Sequence, residues 1–218
     1  MSDELRSQLR GLRVFDEDVP EFDVNATPEN PQELFLSWLL GAIEADVRAP
    51  HAMVLSTLDY YGRPDSRVLL LKDVEDGRWV FATSRASRKG KQLDLAPWAA
   101  LNFHWPELGR QVRVRGRVAD AGKEAAARDF LERPEASRAE SWPGKQSEPL
   151  GDPAELVAAA DQAAAHVADN PDEVPPHWTV YHLIADELEF WQGTPTRRHV
   201  RLRYRLATGG WARSLLWP

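Results

Sequence analysis

Apolar and polar residues alternate along much of the chain with the period of a β-strand, in which every second side chain shares a face. The stretches "HAMVLSTLD" (51–59), "SRVLLLKDV" (66–74), "WVFATS" (79–84), "WAALNFHW" (98–105) and "RQVRVRGRVAD" (110–120) carry this period. "YYGRPD" and "EDGR" separate the first three as turns. Connections this short leave no room for crossover helices, so the pairing is predicted to be antiparallel. "WTVYHLIADELEFWQ" (178–192), "HVRLRYRLA" (199–207) and "GWARSLLW" (210–217) close the chain as strands, with "TGG" turning between the last two. Helical spacing takes over at 30–46, where Phe35, Trp38, Leu39 and Ala42 recur on one side. Asn30 caps that helix, Pro31 suits its first turn, and Glu33 favours its positive end. Further helices are predicted over about 122–132 and 152–168, the second opened by Asp152, Pro153 and Glu155. Six to eight consecutive strands with three helices describe a mainly β protein with α decoration, an antiparallel closed barrel. Residues 1–30 are polar and interrupted by prolines and read as an arm; 31–218 form the domain.

A chain of 218 residues supports one domain with a real core. It has no cysteine, which excludes disulfides, thiolate metal ligands and thiol nucleophiles, and fits a reducing compartment. The N-terminus shows no apolar run of a secretory signal, and no segment approaches the ~18 apolar residues of a membrane helix. A cytoplasmic protein without membrane contact is expected. The net charge of −7 argues against nucleic acid as a partner.

The charge is unevenly spread. No acid follows Glu189, whereas Arg197, Arg198, His199, Arg201, Arg203 and Arg205 crowd together. Strand alternation would put Arg197, His199, Arg201, Arg203 and Arg205 on one face, with Val200, Leu202, Tyr204 and Leu206 on the other. Arg67 and Lys72 bracket an apolar strand, and Arg113, Arg115 and Arg117 share a face. In "TSRASRKGKQL", Ser87 is placed to cap a short helix that carries Arg88 and Lys89 in its first turn. Cations are disfavoured there, and an anion seated on the helix start resolves the conflict. Local cations on an acidic protein point to small phosphates or carboxylates. Other chemistries fail: there is no GxGxxG, P-loop or GxSxG motif. The six histidines (51, 104, 166, 177, 182, 199) lack metal-ligand spacing, so no metal is expected. His104 beside Trp105 reads as a packed histidine. A chain rich in anion-binding groups and poor in its own chemistry suggests a borrowed cofactor.

The motifs "RVLLLKD", "TSRASRKGKQL", "RQVRVRGRV", "KQSEPL" and "EFWQGTPTRRHVRLRY" resemble, in order from about residue 31 to the C-terminus, those of the pyridoxine/pyridoxamine 5′-phosphate oxidases. The resemblance implies an FMN-binding split barrel, homodimeric, with FMN at the subunit interface. It implies FMN contacts from Arg67, Val68, Leu69, Leu70 and Lys72, from Ala82 and Thr83, and from Ser87, Arg88 and Lys89. Gln111, Gln146, Ser147, Trp191 and Arg201 would add others. Lys72, Arg133 and Ser137 would hold the phosphate of a phosphorylated small-molecule substrate, with Asp129 in the same ring of residues. Arg197 and His199 would flank the substrate ring as catalytic residues, with Arg198 beside them.

The sequence departs from that family in four places. Asp129 stands where these oxidases usually carry tyrosine, and a carboxylate near a phosphate repels it unless a cation such as Arg133 absorbs the charge. "HWTVYHL" replaces a stretch commonly containing Trp-Gly-Gly, and Arg198 adds a cation. "VFDEDVPEFDVNATPENP" resembles the arm of the related flavin oxidases of phenazine biosynthesis. Three readings therefore stand: a pyridoxine/pyridoxamine phosphate oxidase, an FMN oxidase of the same fold acting on another ring such as a phenazine-type intermediate, and a non-catalytic flavin-binding protein.

Overall fold

The structure, a computed structural model, describes residues 2–14 and 18–218. Residues 1 and 15–17 of the expected arm, which include the Phe15, Asp16 and Glu17 of its phenazine-oxidase-like stretch, lie outside the described residues. Helix α1 spans Ser2–Gly11 and α2 spans Pro31–Glu44. Strands β1 (Ala52–Leu58), β2 (Pro64–Leu70), β3 (Asp73–Glu75) and β4 (Arg78–Ser84) follow. Helix α3 (Arg88–Leu95) precedes β5 (Trp98–Trp105) and β6 (Arg110–Asp120). Helices α4 (Lys123–Leu131), α5 (Glu135–Ser141) and α6 (Pro153–Asp169) come next. Strands β7 (Trp178–Gln192), β8 (Val200–Ala207) and β9 (Gly210–Leu215) end the chain.

The hydrogen-bonded strand order is β2-β1-β5-β6-β7-β4-β3, with β8 on β7 and β9 on β8. β7 is 15 residues long and serves two antiparallel partners in turn, β4 along Trp178–Ile184 and β8 along Glu187–Gln192. The architecture is an antiparallel sheet with helices, as the alternation predicts, and its split-barrel-like form is the one the resemblance implies. Three differences stand out. The run expected as one strand over 66–74 divides into β2 and β3. Helices α1 and α5 were not expected; α1 lies in what reads as a polar arm, because its Leu5 and Leu9 are too few to set a clear period and remain exposed. His104 is exposed rather than packed, and its neighbour Trp105 is the buried one, as alternation along β5 requires.

The contacts group into two compact units. The first comprises 1–53, 102–114 and 186–218. In it α2 is capped by the Asn30 side chain, which accepts from Gln32 N at 3.0 Å. It buries Leu34, Phe35, Trp38 and Ala42, while Leu39 is only half buried. Phe35 meets Phe103 edge to face at 4.9 Å, and Trp38 meets Phe190 at 5.3 Å. The Tyr204 hydroxyl donates to Pro28 O at 2.8 Å. The second unit comprises 54–101 and 115–185. Trp79, Phe81, Leu101 and Leu183 fill its sheet core, and Phe130 and Trp178 pack with Ala126 beside them. Gly116 is obligatory there: a Cβ on it would stand 2.0 Å from Ile184 O.

Candidate functional site

The second unit builds a cationic cleft where β2 faces the start of α3. Strand alternation turns Asp65, Arg67 and Leu69 inward and leaves Val68 and Leu70 exposed. Ser87 caps α3 as the sequence predicts: its Oγ accepts from Gly90 N at 3.2 Å and donates to Ser84 O at 2.6 Å. This places Arg88 and Lys89 at the helix's positive end. The cleft, of about 460 Å³, is lined by Asp65, Ser66, Arg67, Val68, Leu69, Arg88, Lys89, Gln146 and Ser147.

Each cation is held. Arg67 donates to Thr57 Oγ1 at 2.6 Å, to Leu55 O at 3.3 Å and to Gln92 Oε1 at 3.2 Å. Asp65 lies 2.8 Å from Arg67 and 3.2 Å from Arg88. The hydrogen bond from Gln92, with both arginines beside it, holds the Asp65 carboxyl below its usual range. Lys89 is 6% exposed and donates to Gln146 Oε1 at 2.9 Å; the Thr83 hydroxyl reaches the same oxygen at 3.4 Å. Burial first, and then repulsion from Arg67, pushes Lys89 down to about 8. An anion suits these residues: three cations face one carboxylate at a helix N-terminus, and the buried ammonium lacks a carboxylate within ion-pair reach among the described residues.

The Lys89 shift has a stability signature. Its value is about 8 in the fold and 10.5 ordinarily. Between these the unfolded chain binds the proton and the folded chain has lost it, so this group's contribution to stability rises from pH 8 to pH 10.5. The full span is on the order of 3 kcal/mol. Denaturant unfolding of the cofactor-free protein across this window should show a rise that Lys89→Met removes; matching slopes in the two proteins would refute it.

A second cluster in the same unit gathers residues expected to bind substrate. Asp129 Oδ1 lies 3.2 Å from Lys72 Nζ, and Asp129 Oδ2 accepts from Trp178 Nε1 at 2.9 Å. Arg133 stacks over the Trp178 ring at 4.2 Å and donates to Ser137 O at 2.8 Å. Burial lowers the Arg133 pKa, with Asp129 opposing. Among the described residues the ion pair of Asp129 is with Lys72, while Arg133, which could have absorbed its charge, feels that charge without pairing with it.

The remaining candidates belong to the first unit. The buried Glu189 accepts from Arg201 at 2.9 Å and pairs with Arg113 at 3.3 Å; Arg201 also donates to Trp217 O at 2.8 Å. Trp191 and His199 set their rings 5.1 Å apart, and Thr194 N donates to His199 Nδ1 at 3.1 Å, leaving Nε2 to carry the proton when the ring is neutral. Gln111 is half buried. Arg197 and His199 lie before β8 rather than on it. Arg197 sits in a turn at φ +60°, closed by its N–H on Thr194 O, so it does not share the strand face of Arg201 and Arg203; Arg198 is exposed beside it. Leu206 is likewise exposed, not packed. Thr57, Asp65 and Gln92, which frame Arg67, were missed. A lone threonine and glutamine give no motif, and only the strand register shows that they face Arg67.

Residues 39–167 match the family described as pyridoxamine 5′-phosphate oxidase, and 178–218 match the pyridoxine 5′-phosphate oxidase C-terminal dimerisation region. The chain is 47% identical over 192 residues to a pyridoxine/pyridoxamine 5′-phosphate oxidase of Neisseria meningitidis, covering 87% of this chain and 90% of that one. It is 45% identical to the oxidase of that name from Chromobacterium violaceum, covering 84% and 86%. Among solved structures, PhzG from Burkholderia lata, in complex with tetrahydrophenazine-1-carboxylic acid, superposes with a TM-score of 0.86 at 31% identity, covering 92% and 99%. An FMN-binding, pyridoxamine 5′-phosphate oxidase-related protein from Nostoc punctiforme shares the fold, with a TM-score of 0.69 at 21% identity, covering 87% and 98%.

Proposed function

Because the chain belongs to the pyridoxamine 5′-phosphate oxidase family, we propose that it binds FMN and oxidises pyridoxine or pyridoxamine 5′-phosphate to pyridoxal 5′-phosphate, with dioxygen as acceptor. The observation that carries this reading is the cleft in which Arg67, Arg88 and Lys89 converge on the start of α3. Those cations, with Ser87, Thr83, Gln146 and Ser147, would hold the phosphate and ribityl chain of FMN. Gln111, Trp191 and Arg201 would add further FMN contacts, as the family resemblance implies. The dimerisation-region match supports a homodimer, and no helix among the described residues is long and apolar enough to cross a membrane. We place the protein in the cytoplasm.

The chemistry supplied by bound FMN is acceptance of a hydride from the substrate carbon bearing the amine or alcohol, with return of both electrons to dioxygen. The chain's own residues bind and orient. Lys72, Arg133 and Ser137 would hold the substrate phosphate. Arg197 and Arg198 would draw the anionic substrate in, and His199, fixed by Thr194 N–H, would present an Nε2–H toward the ring. Incubating the purified yellow protein with pyridoxamine 5′-phosphate under air should yield peroxide and aldehyde together. A colourless protein that FMN does not reconstitute would sink the proposal.

One observation favours a second reading, a flavin oxidase of the same fold acting on a carboxylated ring: Asp129 already neutralises Lys72. The two readings diverge on Asp129→Asn, which keeps an acceptor for Trp178 and frees Lys72. In a phosphate oxidase the KM for pyridoxamine 5′-phosphate should fall about three- to tenfold with kcat little changed, the worth of one partly screened ion pair. Steady-state kinetics at low ionic strength measure it. An unchanged KM favours the carboxylated ring.

A further inference from the structure

His177 joins two walls of the cationic cleft without touching it. Its backbone carbonyl accepts from Arg85 N at 2.7 Å, fixing the turn that leads into Ser87 and α3. Its ring faces the segment that carries Gln146. Nε2 is 3.2 Å from Trp142 O, and a carbonyl only accepts, so Nε2 carries the proton and donates. The neighbouring Nδ1 is buried without a hydrogen-bond partner among the described residues. Gly144, at φ +67°, lies against the same ring, so closely that a Cβ there would stand 2.7 Å from His177 Cδ2 and Nε2. Two residues on, a turn closed by Glu148 N on Lys145 O holds Gln146 and sets Ser147 at φ +77°, a conformation glycine adopts more readily. The Gln146 side chain then meets Lys89 and Thr83.

Trp142 explains why the ring can act as a hold. Its side chain packs against both helical clusters of this unit, one around Phe130 and one around Ala163. Its indole lies 4.3 Å from the His166 ring. The segment therefore leaves α5 from a fixed anchor. The backbone direction after that anchor is set at Trp142 O and Gly144, where His177 supplies both a hydrogen bond and a contact surface. Among the described residues, no side chain hydrogen-bonds the backbone of 144–146, so the hold on this segment comes from Trp142 O and Gly144.

We propose that His177 is a positioning residue for the cofactor cleft: through Trp142 O and Gly144 it sets the turn that delivers Gln146 to Lys89. It acts through Gln146 and touches neither cofactor nor substrate. The proposal rests on the FMN reading for its consequence, and on the geometry around His177 for its mechanism.

The test combines FMN affinity, by quenching of flavin fluorescence, with hydrogen exchange of the cofactor-free protein. His177→Ala is expected to weaken FMN by about tenfold, as one hydrogen bond's worth of positioning is lost. His177→Gln, which again offers an N–H toward Trp142 O, is expected to recover most of it. Gly144→Ala approaches the same contact from the other side and should mimic His177→Ala. The double variant His177→Ala, Gln146→Ala should be no weaker than the weaker single variant, since both remove the same contact. Amides of 144–148 should exchange faster in His177→Ala and not in His177→Gln. Folded His177→Ala with unchanged FMN affinity, or losses that multiply in the double variant, overturn the proposal. A wild-type chain that binds no FMN defeats the cofactor reading, while the exchange rates at 144–148 still decide whether His177 holds the turn.

Discussion

Arg67→Ala combined with Lys89→Met should weaken FMN binding by roughly a thousandfold. A hydrogen bond to a charged group contributes about 1.5–3 kcal/mol, or roughly 10–100-fold in affinity for each cation removed. Lys89 stands at the upper end, because the residue is 6% exposed and little water competes for it. The fold should survive the change. Thr57 Oγ1 still donates to Gln92 Oε1 at 2.6 Å, and Asp65 keeps both Gln92 at 3.1 Å and Arg88 at 3.2 Å. Riboflavin is the control, since it carries the same ring and ribityl chain without the phosphate. Titration by fluorescence quenching should show FMN affinity collapsing toward that of riboflavin, which itself changes little. Equal losses for both flavins would mean that the cleft does not read phosphate.

Gly90→Ala should be equally damaging by a different route. A Cβ at this position would stand 2.3 Å from Arg85 O and 2.6 Å from Arg85 C and Cα. These are backbone atoms, fixed by Arg85 N on His177 O and by the Arg85 side chain's ion pairs to Asp94 and Asp120, both 3.0 Å. No side chain can swing aside, so α3 has to lift from the Ser84–Ser87 turn. Overpacking costs about 1–3 kcal/mol. Loss of the Ser87 cap on Gly90 N adds about 1 kcal/mol. At about 2–4 °C per kcal/mol for a chain of this size, the cofactor-free melting temperature should drop by roughly 10 °C. Arg88 and Lys89 move with the helix, so FMN should be lost as well. A melt within two degrees of wild type, with FMN retained, would show that the turn yields more easily than its bonds suggest.

The sequence made the strands legible because one face of each is buried and the other wet, which enforces a period of two. It showed the start of α3 because Ser87, Arg88 and Lys89 make a local contradiction that an anion resolves. Less legible was anything set by pairing between distant strands. Thr57 and Gln92 hold Arg67 only because β1, β2 and α3 meet, and neither residue advertises this. Arg197 and His199 were misplaced onto β8 since alternation continues through the text of the sequence while the backbone turns at Arg197. Asp129 stands out in the sequence as a carboxylate among cations, but its neighbour Lys72 is set by the fold and not by spacing. Arg133 is nearer in sequence, just past the end of α4, but it lies over Trp178 and donates to Ser137 O, and Lys72 meets the carboxylate.

Strand β2 ends the hydrogen-bonded order of the sheet, and it turns Val68 and Leu70 outward at 64% and 49% exposure. An edge with unsatisfied backbone groups and apolar side chains templates the addition of further strands, native or otherwise. The consequence is colloidal. A freshly made chain is at its most aggregation-prone while such an edge is bare, so yield in refolding depends on chain concentration as well as on how stable each chain is. Pro64 at the start of β2 and the inward arginine at 67 act as gatekeepers along that edge, limiting the length over which a wrong strand can zip.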